Sequence, residues 1–295
     1  EPNRDYIDYL KSIIDVDFTG MKIALDCANG ASYEIAPTVF KELGAEVFVI
    51  NNEPNGNNIN DKCGSTSPEK LQELVKTKKA DIGLAYDGDA DRLIAVDENG
   101  TIVDGDHIMI LSAIYLKKHN KLNNNTLVVT VMSNIGLIIA AKENGINLAT
   151  TSVGDRYVLE EMLKNNYNLG GEQSGHMIFT DYNTTGDGIL SSLILAKTVK
   201  EENKSLSTLA SVMVKYPQVL VNVKLKNENK NRYMEFKEVK DEIERIEKIL
   251  DGSGRILIRP SGTEPLVRVM LEGKDEGQIK ELARNLANII EEKLS

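Results

Sequence analysis

Apolar runs alternating with polar stretches predict a short helix over Tyr6 to Ile14, a strand over Met21 to Leu25, a helix ending at Leu43 and a strand over Glu46 to Ile50. Strand, helix and strand in that order make a βαβ unit, so a mostly parallel sheet with helices on its faces is expected. An Asn- and Gly-rich loop, Asn51 to Thr66, then leads to a helix with Ser67 as N-cap and Pro68 in its first turn. Strands follow at Asp81 to Ala85, Leu93 to Val96 and Thr101 to Val103. The last two flank Asp97-Glu98-Asn99-Gly100, whose Asn-Gly pair predicts a hairpin turn.

From Gly105 the plan repeats: a helix to Lys118, a strand over Thr126 to Val131, Ser133-Asn134-Ile135-Gly136 opening another helix, and a strand over Asn147 to Thr151. The strand-Asn-helix pattern at Asn29 recurs at Asn134, which suggests duplication of an α/β unit. Beyond Tyr216-Pro217 the texture changes. Strand Val219 to Leu225, a charged helix from Tyr233 to Leu250, strands Arg255 to Ile258 and Leu266 to Leu271, and a helix from Glu276 to Leu294 suit a small α+β domain. Boundaries near Asp104 and Tyr216 follow from these changes.

With 295 residues, 41% of them hydrophobic, the chain has apolar mass for two or three cores. A formal charge of -10 argues against nucleic acid as a partner, because no broad basic surface is available for a phosphate backbone. Small anions remain candidates wherever arginines cluster. Cys27 and Cys63 offer neither a disulfide framework nor CxxC spacing, so a reducing cytoplasm is the expected compartment. The longest apolar runs, such as Ile108 to Leu116, are far shorter than the roughly 20 residues of a membrane span, and no signal sequence opens the chain.

Tyr86-Asp87-Gly88-Asp89-Ala90-Asp91-Arg92 carries the strongest chemistry, with three carboxylates at every second position closed by an arginine. In an extended loop they would turn to one side and repel unless a cation sat among them. A hard divalent metal with oxygen ligands is the expected occupant, Mg²⁺ foremost, with a phosphoryl oxygen completing its octahedron. Asp87, Asp89, Asp91 and Glu98 also match positions 1, 3, 5 and 12 of a helix-loop-helix calcium loop. Arg92 stands where that loop needs glycine, however, and a strand-like run follows. A solvated acidic turn without metal is the bland alternative.

Arg259-Pro260-Ser261-Gly262-Thr263-Glu264-Pro265, with Arg268 beyond, joins small residues, two hydroxyls and guanidinium groups in a loop suited to a phosphate. The competing reading, a capping box from Ser261 to Glu264, is opposed by Pro265 and the strand after it. In Gly170-Gly171-Glu172-Gln173-Ser174-Gly175-His176, Glu172 and Ser174 are spaced to grip adjacent sugar hydroxyls, and His176 is either functional or structural. In Thr151-Ser152-Val153-Gly154-Asp155-Arg156-Tyr157, either Arg156 reaches an anion or Asp155 caps a helix.

Taken in order, several segments resemble the α-D-phosphohexomutase superfamily along essentially the whole chain. They are Asp26-Cys27-Ala28-Asn29-Gly30-Ala31, Cys63-Gly64-Ser65-Thr66, Asp87 to Arg92, Val131-Met132-Ser133-Asn134, Val153 to Val158, Gly171 to His176, and Arg259 to Glu272. Glu172-Gln173-Ser174-Gly175-His176 resembles the branch acting on glucosamine phosphate, other branches usually carrying another residue at the position of Gln173. The fold class implied is α/β: two consecutive α/β/α domains, 1–104 and 105–215, then a smaller α+β domain, 216–295, which would be the family's second, third and fourth domains.

The activity implied is an isomerase that interconverts glucosamine 6-phosphate and glucosamine 1-phosphate, on the route to UDP-N-acetylglucosamine. It would run through a phosphoserine and a 1,6-bisphosphate. By the same resemblance Asp87, Asp89 and Asp91 would bind Mg²⁺ with the phosphoserine. Glu172 and Ser174 would hold the sugar, while Arg259, Ser261, Gly262, Thr263 and Arg268 would hold the phosphate that is not reacting. Arg92 and His176 would assist. The family's phosphorylated serine lies in a Ser-His-Asn-Pro segment. Here the histidines are only His107, His119 and His176, and none stands in one. A fragment lacking the N-terminal domain and unable to turn over is therefore expected. A phosphomannomutase or phosphoglucomutase, a non-catalytic sugar-phosphate-binding module and a calcium-responsive module stay open as alternatives, as does homodimer formation by a full-length protein.

Overall fold

The computed structural model describes residues 1–226, 228–261 and 264–294. After helix α1 (Pro2–Ile13) the chain forms β1 (Lys22–Asp26), α2 (Ile35–Glu42), β2 (Glu46–Ile50), α3 (Glu69–Lys78), β3 (Ile82–Tyr86), β4 (Leu93–Asp97) and β5 (Ile102–Val103). These strands make one sheet in the order β2-β1-β3-β4-β5. Strands β1, β2 and β3 are parallel, while β4 and β5 turn antiparallel through the expected hairpin. Only Gly100 of the Asn-Gly pair has positive φ, at 83°, and Asp97 exchanges backbone bonds with Gly100 and Thr101. That is a three-residue turn with a glycine bulge, not a two-residue one.

Next come α4 (Gly105–Lys118), β6 (Thr126–Thr130), α5 (Ile135–Glu143), β7 (Asn147–Thr151), α6 (Asp155–Asn165), β8 (Leu169–Gly171), β9 (Met177–Phe179), α7 (Gly188–Glu202) and α8 (Leu206–Ala210). Their sheet runs β7-β6-β8-β9, with β6 parallel to β7 and β8, and β9 antiparallel to β8. Order and direction repeat those of β2-β1-β3-β4, so the weak sequence repeat has a structural counterpart. Helices α4 and α7 are buried on almost every face, and one apolar cluster runs from Ile7 through Phe40, Met109 and Leu193 to Met213. A stripe has no meaning for such helices, because apolar neighbours surround them.

The last elements are β10 (Gln218–Lys224), α9 (Lys237–Leu250), β11 (Arg255–Pro260), β12 (Leu266–Glu272) and α10 (Glu276–Leu294). Their sheet, β10-β12-β11, is wholly antiparallel. Ile279, Leu282, Ala283, Leu286, Ala287, Ile290 and Leu294 face its core at helical spacing. Contacts divide the chain into two compact units, residues 1–133 with 137–214, and residues 134–136 with 215–295.

Two expectations fail locally. Ser67 is not an N-cap: the preceding 3-10 turn, Gly64–Thr66, takes its N–H onto the Gly64 carbonyl, and Pro68 occupies the cap position of α3 without a side-chain bond. The expected helix over Tyr233 to Leu250 is broken, because extended Phe236 separates a 3-10 turn from α9. Among the described residues no helix is long and apolar enough to cross a membrane.

Candidate functional site

In the first sheet β1 lies between β2 and β3, so the chain reverses its direction of winding at the C-terminal ends of β1 and β3. Open α/β sheets bind ligands at such a point. Both flanking loops carry motifs from the sequence. After β1, Asp26 is fully buried and accepts N–H bonds from Ala28 (3.0 Å) and Gly64 (2.9 Å). Burial raises its pKa, and the two amides offset part of that shift. Ala28 and Asn29 are left-handed, the Ala31 N–H bonds the Gly88 carbonyl at 2.9 Å, and a Cβ on Gly30 would lie 2.6 Å from the Gly88 Cα. The Asp26 to Ala31 motif is thus the bed on which the acidic loop lies.

The acidic run is a turn and not the extended loop expected. The Ala90 N–H closes on the Asp87 carbonyl, and Ala90 takes a φ of 59°. Asp87 is half-buried, its Oδ1 accepts the Arg92 N–H at 3.2 Å, and Arg92 Nε stands 3.9 Å from both Asp87 and Asp91. Burial first, and the neighbouring Asp91 charge second, raise the Asp87 pKa. Asp89 is exposed. Among the described residues no group of three or more His, Cys, Asp or Glu side chains stands ready to hold a metal ion. The turn brings Asp87 and Asp91 together and leaves Asp89 apart. Two facing carboxylates with one guanidinium at 3.9 Å match the donor chemistry of a hard cation, which would relieve their repulsion. Glu98 is absent from this cluster: it binds Ser207 at the other end of β4, which removes the calcium-loop reading.

The loop of Glu172, Gln173, Ser174, Gly175 and His176 joins β8 to β9, the place in the second sheet that the acidic loop holds in the first, between β3 and β4. The two loops also meet. The Leu93 N–H bonds the Gly175 carbonyl at 3.0 Å, Arg92 bridges to His176 in antiparallel fashion, and His176 Nδ1 lies 3.2 Å from Asp91 Oδ2. His176 is 5% exposed. Glu172 Oε1 accepts the Gly154 N–H at 3.0 Å, and Gln173 Nε2 donates to buried Asp106 at 2.9 Å, while Ser174 is exposed. Asp155 is not the expected helix cap. Gly154 holds the cap position of α6 and Asp155 is its first residue, while exposed Arg156 pairs with Glu160 at 2.7 Å.

In the smaller unit Arg259 and Arg268 stand directly opposite each other on β11 and β12. Like charges in that register repel, and an anion between them would remove the cost. Arg268 Nη2 pairs with Glu264 at 3.0 Å, while its buried Nε makes no hydrogen bond among the described residues. Ser261 Oγ accepts the Glu264 N–H at 3.1 Å, half of the capping-box pattern, but β12 and not a helix follows. Gly262 and Thr263 lie outside the described residues.

Sequence reasoning missed Gly105, Asp106, Asp187 and Gly188, which brace these loops. Only the Asp-Gly-Asp spacing at 104–106 signals any of them. Cys27 and Cys63 are buried, and burial pushes the Cys27 pKa up to about 12 and raises that of Cys63. Neither is expected to react with Ellman's reagent at pH 8 until denaturant exposes both. A fast native thiol in the absorbance trace would contradict their placement.

Models of the phosphoglucomutase/phosphomannomutase family match consecutive stretches: alpha/beta/alpha domain II over residues 4–100, alpha/beta/alpha domain III over 104–216, and the C-terminal domain over 220–289. The chain is 76% identical over 292 residues to a phosphoglucosamine mutase of Clostridioides difficile (strain 630), covering 99% of this chain and 65% of that protein. It is 64% identical over 293 residues to a phosphoglucosamine mutase of Thermoanaerobacter sp. (strain X514), covering 99% and 66%. It therefore spans about 65% of the length of such relatives. A phosphoglucomutase/phosphomannomutase family protein from Burkholderia thailandensis superposes with a TM-score of 0.81 at 20% identity, over 99% of this chain and 65% of the other. N-acetylphosphoglucosamine mutase of Aspergillus fumigatus, solved with GlcNAc-6P and magnesium, superposes at 0.76 and 19% identity, over 99% and 65%. By three consecutive domain matches and these identities, the chain belongs to the phosphoglucomutase/phosphomannomutase family.

Proposed function

We propose that this chain serves a phosphoglucosamine mutase reaction, the interconversion of glucosamine 6-phosphate and glucosamine 1-phosphate through a phosphoserine and a 1,6-bisphosphate, in cytoplasmic UDP-N-acetylglucosamine synthesis. The observation that carries the reading is the junction of the acidic and Glu172–His176 loops, hydrogen-bonded to each other at equivalent places in two like sheets. Identity of 76% to a phosphoglucosamine mutase supports the substrate. The domain limits at 104 and 215 belong to the same reading.

Each residue's role follows from its chemistry. Glu172 accepts, and exposed Ser174 donates or accepts, so the pair can hold neighbouring sugar hydroxyls in either orientation of the substrate. Arg259 and Arg268 supply positive charge for the phosphate that is not transferred, and Ser261, Gly262 and Thr263, which follow Arg259 in sequence, would supply hydroxyl and main-chain donors. Asp87 and Asp91, which the turn brings together, would hold Mg²⁺ with exposed Asp89 as a third ligand, and the ion when bound supplies positive charge to a phosphoryl oxygen. Arg92 and His176 orient the Asp87 and Asp91 carboxylates. The sequence holds no Ser-His-Asn-Pro segment, so on this reading the chain binds substrate but does not turn it over.

Calorimetric titration of the chain in magnesium buffer with glucosamine 6-phosphate, and separately with mannose 6-phosphate, tests the proposal. Saturable binding with preference for the amino sugar is expected. Equal binding of both would favour a phosphomannomutase-like role, and heat from neither would overturn substrate recognition by these residues.

A further inference from the structure

Behind the acidic loop is a cavity of about 270 Å³ lined by Tyr6, Asp89, Ala90, Asp91, Gly186 and Asp187, among others. Asp187 is 8% exposed, and its carboxylate has two hydrogen-bond partners among the described residues. Its Oδ1 accepts the Leu190 N–H at 2.9 Å and so caps α7, and its Oδ2 accepts the Tyr6 hydroxyl at 2.5 Å. Burial and this carboxylate both raise the Tyr6 pKa, so the phenol stays protonated as the donor. The next residue, Gly188, donates its N–H at 2.9 Å to the carbonyl of Ala90, the left-handed residue of the acidic turn. A Cβ on Gly188 would lie 2.5 Å from the Arg92 carbonyl oxygen and 2.9 Å from that of Ala90, so helix and loop meet backbone to backbone. On the other side of Asp187, Gly186 packs against the His176 ring with no room for a side chain.

We propose that Asp187, held by Tyr6, is a positioning residue for the acidic loop. By fixing the first turn of α7 it aims the Gly188 N–H at Ala90 and so sets Asp89 and Asp91 on either side of that residue. The metal-related part of the inference rests on the reading of residues 87–92 as a cation site. The positional part stands on the hydrogen bonds alone. Groups that support metal ligands from outside the coordination shell commonly change metal affinity 10- to 100-fold when removed.

The test compares the parent chain with Asp187→Ala, Asp187→Ser and Tyr6→Phe. Hydrogen exchange of the peptide spanning 87–92 and calorimetric titration with Mn²⁺ alone are measured, with thermal unfolding recorded alongside. Asp187→Ala is expected to speed exchange at 87–92 and weaken Mn²⁺ about tenfold. Asp187→Ser, which still caps the helix, recovers part of both. Tyr6→Phe removes one hydroxyl without endangering the fold and is expected to move both readouts about threefold. Thermal shifts with parent-like exchange at 87–92 in Asp187→Ala and Tyr6→Phe would overturn the proposal. Parent chain that takes up no Mn²⁺ while the variants still loosen 87–92 would overturn the cation reading and support the positional role.

Discussion

Gly105→Ala is expected to lower the melting temperature by about 6–12 °C and to weaken sugar-phosphate binding at least tenfold. The added Cβ would stand 2.5 Å from the Glu172 carbonyl oxygen and 2.7 Å from both the Gln173 carbonyl oxygen and the Gly175 nitrogen. All three are backbone atoms, so no rotamer change can make room. The loop cannot swing away cheaply either, because Glu172 and His176, Gly175 and Glu172, and Leu93 and Gly175 are joined by main-chain hydrogen bonds. Helix α4 is equally confined: Asp104 caps it, and apolar neighbours enclose it. Overpacking of this kind costs about 3 kcal/mol, and at about 2–4 °C per kcal/mol for a unit of this size the shift follows. Binding falls with stability because Glu172 and Ser174 sit on the segment that must move. Thermal unfolding and calorimetry check both parts, and a melting temperature within about 2 °C of the parent would refute the packing argument.

Arg268→Ala should have the opposite profile, a large loss of affinity without loss of stability. Arg268 faces Arg259 across the β11–β12 ladder, so truncation removes a like-charge pair and one half-exposed ion pair with Glu264. Little stability depends on it. For a phosphate, loss of a charge-assisted fork costs about 2–3 kcal/mol, a fall of about 30- to 150-fold in affinity for glucosamine 6-phosphate. Arg268→Lys restores charge without the fork and is expected to recover only part of that loss. Unchanged affinity would remove the pair from the site, and a lowered melting temperature in Arg268→Ala would mark it as structural.

The sequence alone determined the element order over most of the chain. Strands Glu46 to Ile50 and Asn147 to Thr151 and helix Glu276 to Leu294 fall where their apolar spacing places them, and helix Gly105 to Lys118 falls on its apolar run. The chemistry-bearing loops were legible too, because carboxylates at every second position and an Arg-Pro-Ser-Gly-Thr run are unusual local compositions.

Tertiary structure decided what depends on partners distant in the chain. Helix α7 escapes periodicity because it is enclosed on nearly all sides, and the role of Ser67 was settled by the 3-10 turn before it. Likewise, the acidic run reads as extended until Ala90 goes left-handed beneath the Gly188 N–H, and only then do Asp87 and Asp91 face each other while Asp89 stands apart. Gly188 carries no local signal and Gly105 only the Asp-Gly-Asp spacing around it, since what excludes a side chain at each is backbone from another loop. Local sequence encodes backbone preference and composition, whereas close approach of two backbones is a property of the packed chain.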